Sequence, residues 1–102
     1  MEKQMKQIRE FYKAIHSESQ FPRIPTADIP TAIKDLRQNL IFEETGELFR
    51  AMNNKDLTEI FDALLDIQYV VLGTALAYGL EDAMVDGFNE VHRSNMTIKP
   101  TL

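Results

Sequence analysis

The residues of this chain best able to do chemistry are carboxylates. Between Glu43 and Asp66 it reads EETGELFRAMNNKDLTEIFDALLD. Seven of its sixteen acidic residues fall there: Glu43, Glu44, Glu47, Asp56, Glu59, Asp62 and Asp66, opposed only by Arg50 and Lys55. Density alone means little, because acidic helix surfaces are common; the face matters. With about 100° of turn per residue, Glu44, Glu47 and Glu43 lie at roughly +40°, −20° and −60° from Leu40. Ile33, Leu36 and Ala51 lie within about 40° of the same line, so the three glutamates continue the stripe expected to face the core. Further on, Glu59, Asp62 and Asp66 fall within about 60° of one another, and Ala63, Val70, Gly73 and Ala77 extend their line. Unpaired carboxylates on an inward stripe are costly. A bound cation relieves that cost, and clustered hard oxygen ligands suit Mg²⁺, Mn²⁺ or Ca²⁺.

Steps of three residues (Glu44 to Glu47, Glu59 to Asp62) and four (Glu43 to Glu47, Asp62 to Asp66) bring side chains together on a helix. Mg²⁺ held this way keeps several waters and takes further ligands from phosphates. One such water can be activated as a nucleophile, and a carboxylate beside the metal can remove its proton. A ferritin-like di-iron centre needs Glu-x-x-His on each of two helices. The chain has only His16 and His92, preceded at that spacing by Lys13 and Asn89, which sets that centre aside. A merely solvated acidic face is at odds with the apolar alignment.

Helices must position these acids. Met5, Ile8, Phe11, Tyr12 and Ile15 recur at helical spacing and predict a first helix over 3–17. Phe11 and Tyr12 read as packing residues, and His16 as a cation suited to the helix end. Residues 18–30, with Pro22, Pro25 and Pro30, form a loop able to lie over a neighbouring site. A second helix runs from Thr31, as N-cap, to about Met52. Gly46 inside it costs up to about 1 kcal/mol relative to alanine; it is either tolerated or marks a close approach of backbone or ligand. Asn53 and Asn54 make the turn. The third helix starts at Asp56 or Leu57, with Asp56 or Thr58 as cap, and runs to about Tyr78, where Gly79 ends it. It is apolar nearly all round, with Phe61, Leu65 and Leu72 on one side and Leu64, Ile67 and Val71 on another. Such a helix must be buried on several faces, which predicts a homo-oligomer with it at the centre. A fourth helix spans 81–92, with Ala83, Met84, Gly87, Phe88 and Val91 inward, and a polar tail follows.

The chain has 102 residues, a length suited to one domain over 1–102. Its net charge of −5 and pI of about 4.9 argue against a nucleic-acid-binding surface. It has no cysteine, which excludes disulfides, zinc-thiolate sites and a cysteine nucleophile. No eighteen-residue run is uninterruptedly apolar and no secretory signal is evident, so no membrane partner and a cytoplasmic location are expected.

The order Glu-Glu-x-x-Glu on one helix and Glu-x-x-Asp on the next resembles the all-α nucleoside triphosphate pyrophosphohydrolases, a superfamily that includes MazG-like proteins, dimeric dUTPases and phosphoribosyl-ATP pyrophosphohydrolase. LRQNLIFEETGEL (36–48) is similar to the first motif helix, EIFDALLDIQYVVLGTALAYG (59–79) to the second, and FNEVHRSNMT (88–97) to the tail of the small MazG-like branch. The resemblance implies a four-to-five-helix MazG-like bundle, its core completed in a homodimer or dimer of dimers. It implies Mg²⁺-dependent hydrolysis of a nucleoside triphosphate between the α and β phosphates, giving a monophosphate and pyrophosphate, with Mn²⁺ as a substitute cation. A role in clearing unwanted nucleotides would follow.

Carried onto this chain, it assigns Mg²⁺ to Glu44, Glu47, Glu59 and Asp62, with Glu43 as further ligand or base; Glu43, Glu44 and Glu47 form the catalytic set. Arg37, Asn95 and Lys99 are the triphosphate candidates, Arg37 lying on the Glu44 side of its helix. There are two departures. Ala63 stands where many relatives carry the second motif's Glu, so Glu59 with Asp62 supply that pair and Asp66 is the third choice. Ile98 precedes Lys99 where lysine directly follows the Asn-Met-Ser/Thr triplet, so Arg93 is a substitute. Asn95 reads equally as a helix cap. The competing function is a non-catalytic helical module that binds a nucleotide or a partner protein.

Overall fold

A computed structural model describes residues 1–17 and 21–97. The chain folds as α1 (Glu2–Ala14), α2 (Thr31–Asn53), α3 (Leu57–Ala77), a single 3₁₀ turn (Glu81–Ala83) and α4 (Met84–Thr97), with no strand among the described residues. It is an all-α bundle. α2 and α3 form a long antiparallel hairpin, and α1 packs on the C-terminal half of α3. Met5 and Ile8 from α1 meet Leu72, Ala75 and Leu76 from α3, with Tyr12, Phe21 and Met84 packed around them. Tyr12 and Phe11 are packing residues: Tyr12 meets Phe21 edge-on at 4.9 Å and Phe11 meets Tyr69 at 5.8 Å.

The helix ends have local causes, and some differ from expectation. α1 stops at Ala14, short of residue 17, because His16 takes a left-handed φ of 59°, a conformation that terminates helices. Thr31 is the first helical residue rather than the cap. Pro30, extended at φ −53° and ψ 137°, precedes it, and its carbonyl accepts from Ile33 and Lys34, each at 3.0 Å. The α2–α3 turn is made at Asn54 and Lys55, whose φ is 55°. Asp56 then caps α3, its Oδ1 accepting the Glu59 N–H at 3.2 Å, a cap worth about 1 kcal/mol.

Gly79 closes α3 with φ +70°, and a Cβ there would meet the Ile24 carbonyl oxygen at 2.8 Å. The Thr26 N–H also donates to the Tyr78 carbonyl at 3.1 Å. The described part of the proline loop is therefore pinned to the C-terminal end of α3, about 16 Å along the helix from Asp66, not over the acids.

α3 is long and apolar enough, by length and composition alone, to cross a bilayer. Here it is the central helix of the bundle, against α1 and α2, and carries Glu59, Asp62 and Asp66. Several of its apolar residues are nonetheless exposed, among them Phe61, Leu64 and Leu65. Phe88 and Val91 of α4, expected inward, are exposed as well, because no described element of the chain covers them. Only Met84 of that set reaches the core.

Candidate metal centre

The buried line of α2 runs through Arg37, Leu48 and Ala51, with Glu44 half-buried among them. That line is rotated about 50° from the Leu40-centred stripe read in the sequence. The rotation sorts the glutamates: Glu44 lies close to the line, Glu47 toward its edge, and Glu43 roughly 110° round the helix in solvent. On α3 the small residues Ala63 and Gly73 are buried and Asp66 is half-buried.

The hairpin register is visible at two levels. The Arg37 side chain lies over Gly73: a Cβ on that glycine would sit 2.7 Å from Arg37 Nη2 and 2.9 Å from the Tyr12 hydroxyl. Seven residues on along α2 and seven back along α3, Glu44 faces Asp66. Single oxygens of Glu44, Glu47 and Asp66 all lie within 4.8 Å of one another. Glu44 Oε2 is buried and has no hydrogen-bond partner. Burial raises the Glu44 pKa, and the charges of Glu47, Asp66 and Glu43 push it further up. Burial likewise raises that of Asp66, with Asp62 and Glu47 adding to it. Three convergent carboxylates, two resisting ionisation and one with an orphaned oxygen, form a donor set that fits a hard divalent cation.

Beside the trio, toward the hairpin turn, opens a cleft of about 240 Å³. Glu47, Asp56, Glu59 and Asp62 line it with Arg50 and Asn54, and Ala51 and Ala63 form its floor. Glu47 belongs to both trio and cleft. Thus Asp66, the third choice from sequence, is the α3 acid that joins Glu44 and Glu47. Asp62 and Glu59 face the cleft about one and two turns nearer the hairpin end, respectively. Ala63, which read as a gap in the motif, is buried at 4% exposure where α2 and α3 approach.

Of the expected phosphate contacts, those among the described residues lie elsewhere. Arg37 is buried, 4% exposed. Its guanidinium donates to the Tyr12 hydroxyl at 2.6 Å, the Val70 carbonyl at 3.0 Å and Thr74 Oγ1 at 3.1 Å. It ties α1 and α2 to α3 and does not line the cleft. Arg93 is paired with Glu90 on an exposed face of α4, and Asn95 is exposed on the same helix; neither lines the cleft. Lys99 lies outside the described residues. Sequence reasoning passed over Arg50 and the alanine floor. The paired small residues Ala51 and Ala63, either side of the turn, were the available signal for a close helix approach.

Known proteins resemble the chain over part or most of its length. Over 51 residues, half of this chain, it is 49% identical to a protein of Acanthamoeba polyphaga mimivirus described as "Uncharacterized protein L479". The matched stretch is 20% of that protein, so the chain spans about a fifth of the length of this curated relative. The family model for phosphoribosyl-ATP pyrophosphohydrolase matches residues 8–95, which include all of α2 and α3 and every acid of the trio and cleft. The chain belongs to the phosphoribosyl-ATP pyrophosphohydrolase family, within the MazG-like pyrophosphohydrolase superfamily.

Proposed function

We propose that this protein hydrolyses a nucleoside or deoxynucleoside triphosphate between its α and β phosphates, releasing a monophosphate and pyrophosphate, with Mg²⁺ as its cation and Mn²⁺ as a substitute. The observation that carries this reading is the convergence of Glu44, Glu47 and Asp66 within 4.8 Å beside an open cleft, in a chain of a pyrophosphohydrolase family. Glu44, Glu47 and Asp66 would hold the cation. When bound, it would neutralise phosphate charge and lower the pKa of a coordinated water. Glu59 and Asp62 face the same cleft and would add ligands toward the substrate. A carboxylate outside the trio takes the proton from the attacking water as the P–O bond to the leaving pyrophosphate breaks. Glu43 holds that role by sequence position; Glu59 and Asp62 hold it by their place on the cleft.

The proposal includes assembly as a homodimer or dimer of dimers. The chain exposes 7985 Å², against about 5900 Å² for a compact monomer of this mass. Phe42, Phe61 and Phe88 are exposed at 80%, 63% and 60%. With a net charge of −5, the substrate is read as a free nucleotide in the cytoplasm, not a nucleic acid, and no membrane is invoked.

The test is a panel of NTPs and dNTPs, together with phosphoribosyl-ATP, incubated with pure protein and Mg²⁺. Pyrophosphate is expected from at least one of them, and Glu47→Gln should abolish it while leaving the helical circular dichroism unchanged. Pyrophosphate from none of them would overturn the enzymatic reading, and nucleotide binding without product would favour a non-catalytic module.

A further inference from the structure

Arg50 is the one cationic side chain lining the cleft, where Glu47, Asp56, Glu59 and Asp62 supply four carboxylates. Among the described residues it is paired with none of them. The side chain does not point away toward the end of its helix. Nη1 lies 3.7 Å from where a Cβ on Gly46 would stand, so the guanidinium reaches back one turn along α2, to about the level of Glu47. That separation is ordinary van der Waals distance, so nothing among the described residues crowds Gly46.

A cleft meant only for cations is weakened by an arginine in it. A cleft that takes an anion through a metal needs one, because carboxylates alone repel phosphate on every side the metal does not cover. We propose that Arg50 is the substrate-binding residue that takes a phosphate oxygen pair of the nucleotide's pyrophosphate portion, opposite the metal held by Glu44, Glu47 and Asp66. The planar, permanently charged guanidinium suits bidentate contact with phosphate. This assignment rests on the pyrophosphohydrolase reading but reaches past it, since it names the group that recognises the anion. A purely structural role for Arg50, as a cation in the last turn of α2, makes different predictions.

The test compares wild type, Arg50→Ala and Arg50→Lys in the full chain by three measurements. These are KM and kcat on whichever nucleotide the panel identifies, calorimetric affinity for inorganic pyrophosphate with Mg²⁺ present, and Mn²⁺ affinity without nucleotide by electron paramagnetic resonance. Arg50→Ala should raise KM and weaken pyrophosphate binding roughly tenfold or more, with Mn²⁺ affinity unchanged or tighter. Arg50→Lys should recover part of the loss. Wild-type KM and pyrophosphate affinity in Arg50→Ala would overturn the assignment. So would a parallel loss of Mn²⁺ affinity, which would make Arg50 a support of the metal site. If wild type binds pyrophosphate through Arg50 yet hydrolyses nothing, the enzymatic reading falls and this assignment stands.

Discussion

Glu44→Gln should stabilise the metal-free protein and impair its response to Mg²⁺, so that one substitution changes sign with the cation. Oxygens of Glu44, Glu47 and Asp66 lie within 4.8 Å of one another. At that separation, with an effective dielectric near 20, two like charges repel by about 3 kcal/mol. Glu47 is exposed, which moves its share toward the surface value of under about 1 kcal/mol. Removing the Glu44 charge should therefore stabilise the apo protein by about 1–2 kcal/mol. In a domain of this size that is a rise in Tm of roughly 5–10 °C. With Mg²⁺ at 100 times its Kd, wild type gains about 2.7 kcal/mol; a tenfold weaker site gains only about 1.4 kcal/mol.

The pH dependence carries its own sign. Burial and neighbouring charge raise the pKa of Glu44 and Asp66 in the folded state, so the folded protein binds more protons than the unfolded chain. Stability in EDTA therefore falls as pH rises from the ordinary carboxylate values through the raised ones. Glu44→Gln should flatten that fall, and the two proteins should converge at pH values where both carboxyls are protonated in either state. The assay is thermal unfolding by circular dichroism, in EDTA and in Mg²⁺, across this window. Glu44→Gln melting at or below wild type in EDTA, or showing an equal Mg²⁺-induced shift, would refute the reasoning.

Gly73→Ala should destabilise by about 1–3 kcal/mol, because its Cβ would lie 2.7 Å from a guanidinium held by three partners. Urea unfolding measures this, and the cost should shrink in an Arg37→Met background, where the crowded group is gone. Phe61→Glu, at a side chain 63% exposed, should reduce the sedimentation mass to that of an 11.8 kDa monomer without loss of helicity; an unchanged mass would remove Phe61 from the interface.

Much of the hairpin was legible because its signals are local. Asp56 caps α3 through its own side chain, and Gly79 ends it at a positive φ. Thr31 misled because the helix starts one residue earlier than a threonine cap requires: Pro30 holds the N-cap position and its carbonyl accepts from Ile33 and Lys34. Arg37 misled more instructively. Its helical angle placed it near Glu44, but angle says nothing of level along the axis or of what waits there. Tyr12, Thr74 and the bare backbone of Gly73 hold it, and they come from two other helices.

Helical phase and the order of motifs pointed, from sequence alone, to an all-α protein of a pyrophosphohydrolase family whose acids gather on two neighbouring helices. Only the tertiary structure decided which acids meet. The α2 stripe mixes residues that face α3 with others, such as Leu36, that remain exposed, and periodicity cannot tell the two apart. Packing rotated α2 by about 50°, turned Glu44 inward and left Glu43 in solvent. The antiparallel register then set Asp66 opposite Glu44 and left Glu59 and Asp62 to the cleft. Rotation and register come from how two surfaces interlock, with Ala63 and Gly73 letting α2 approach, and that information lies between helices, not within either one.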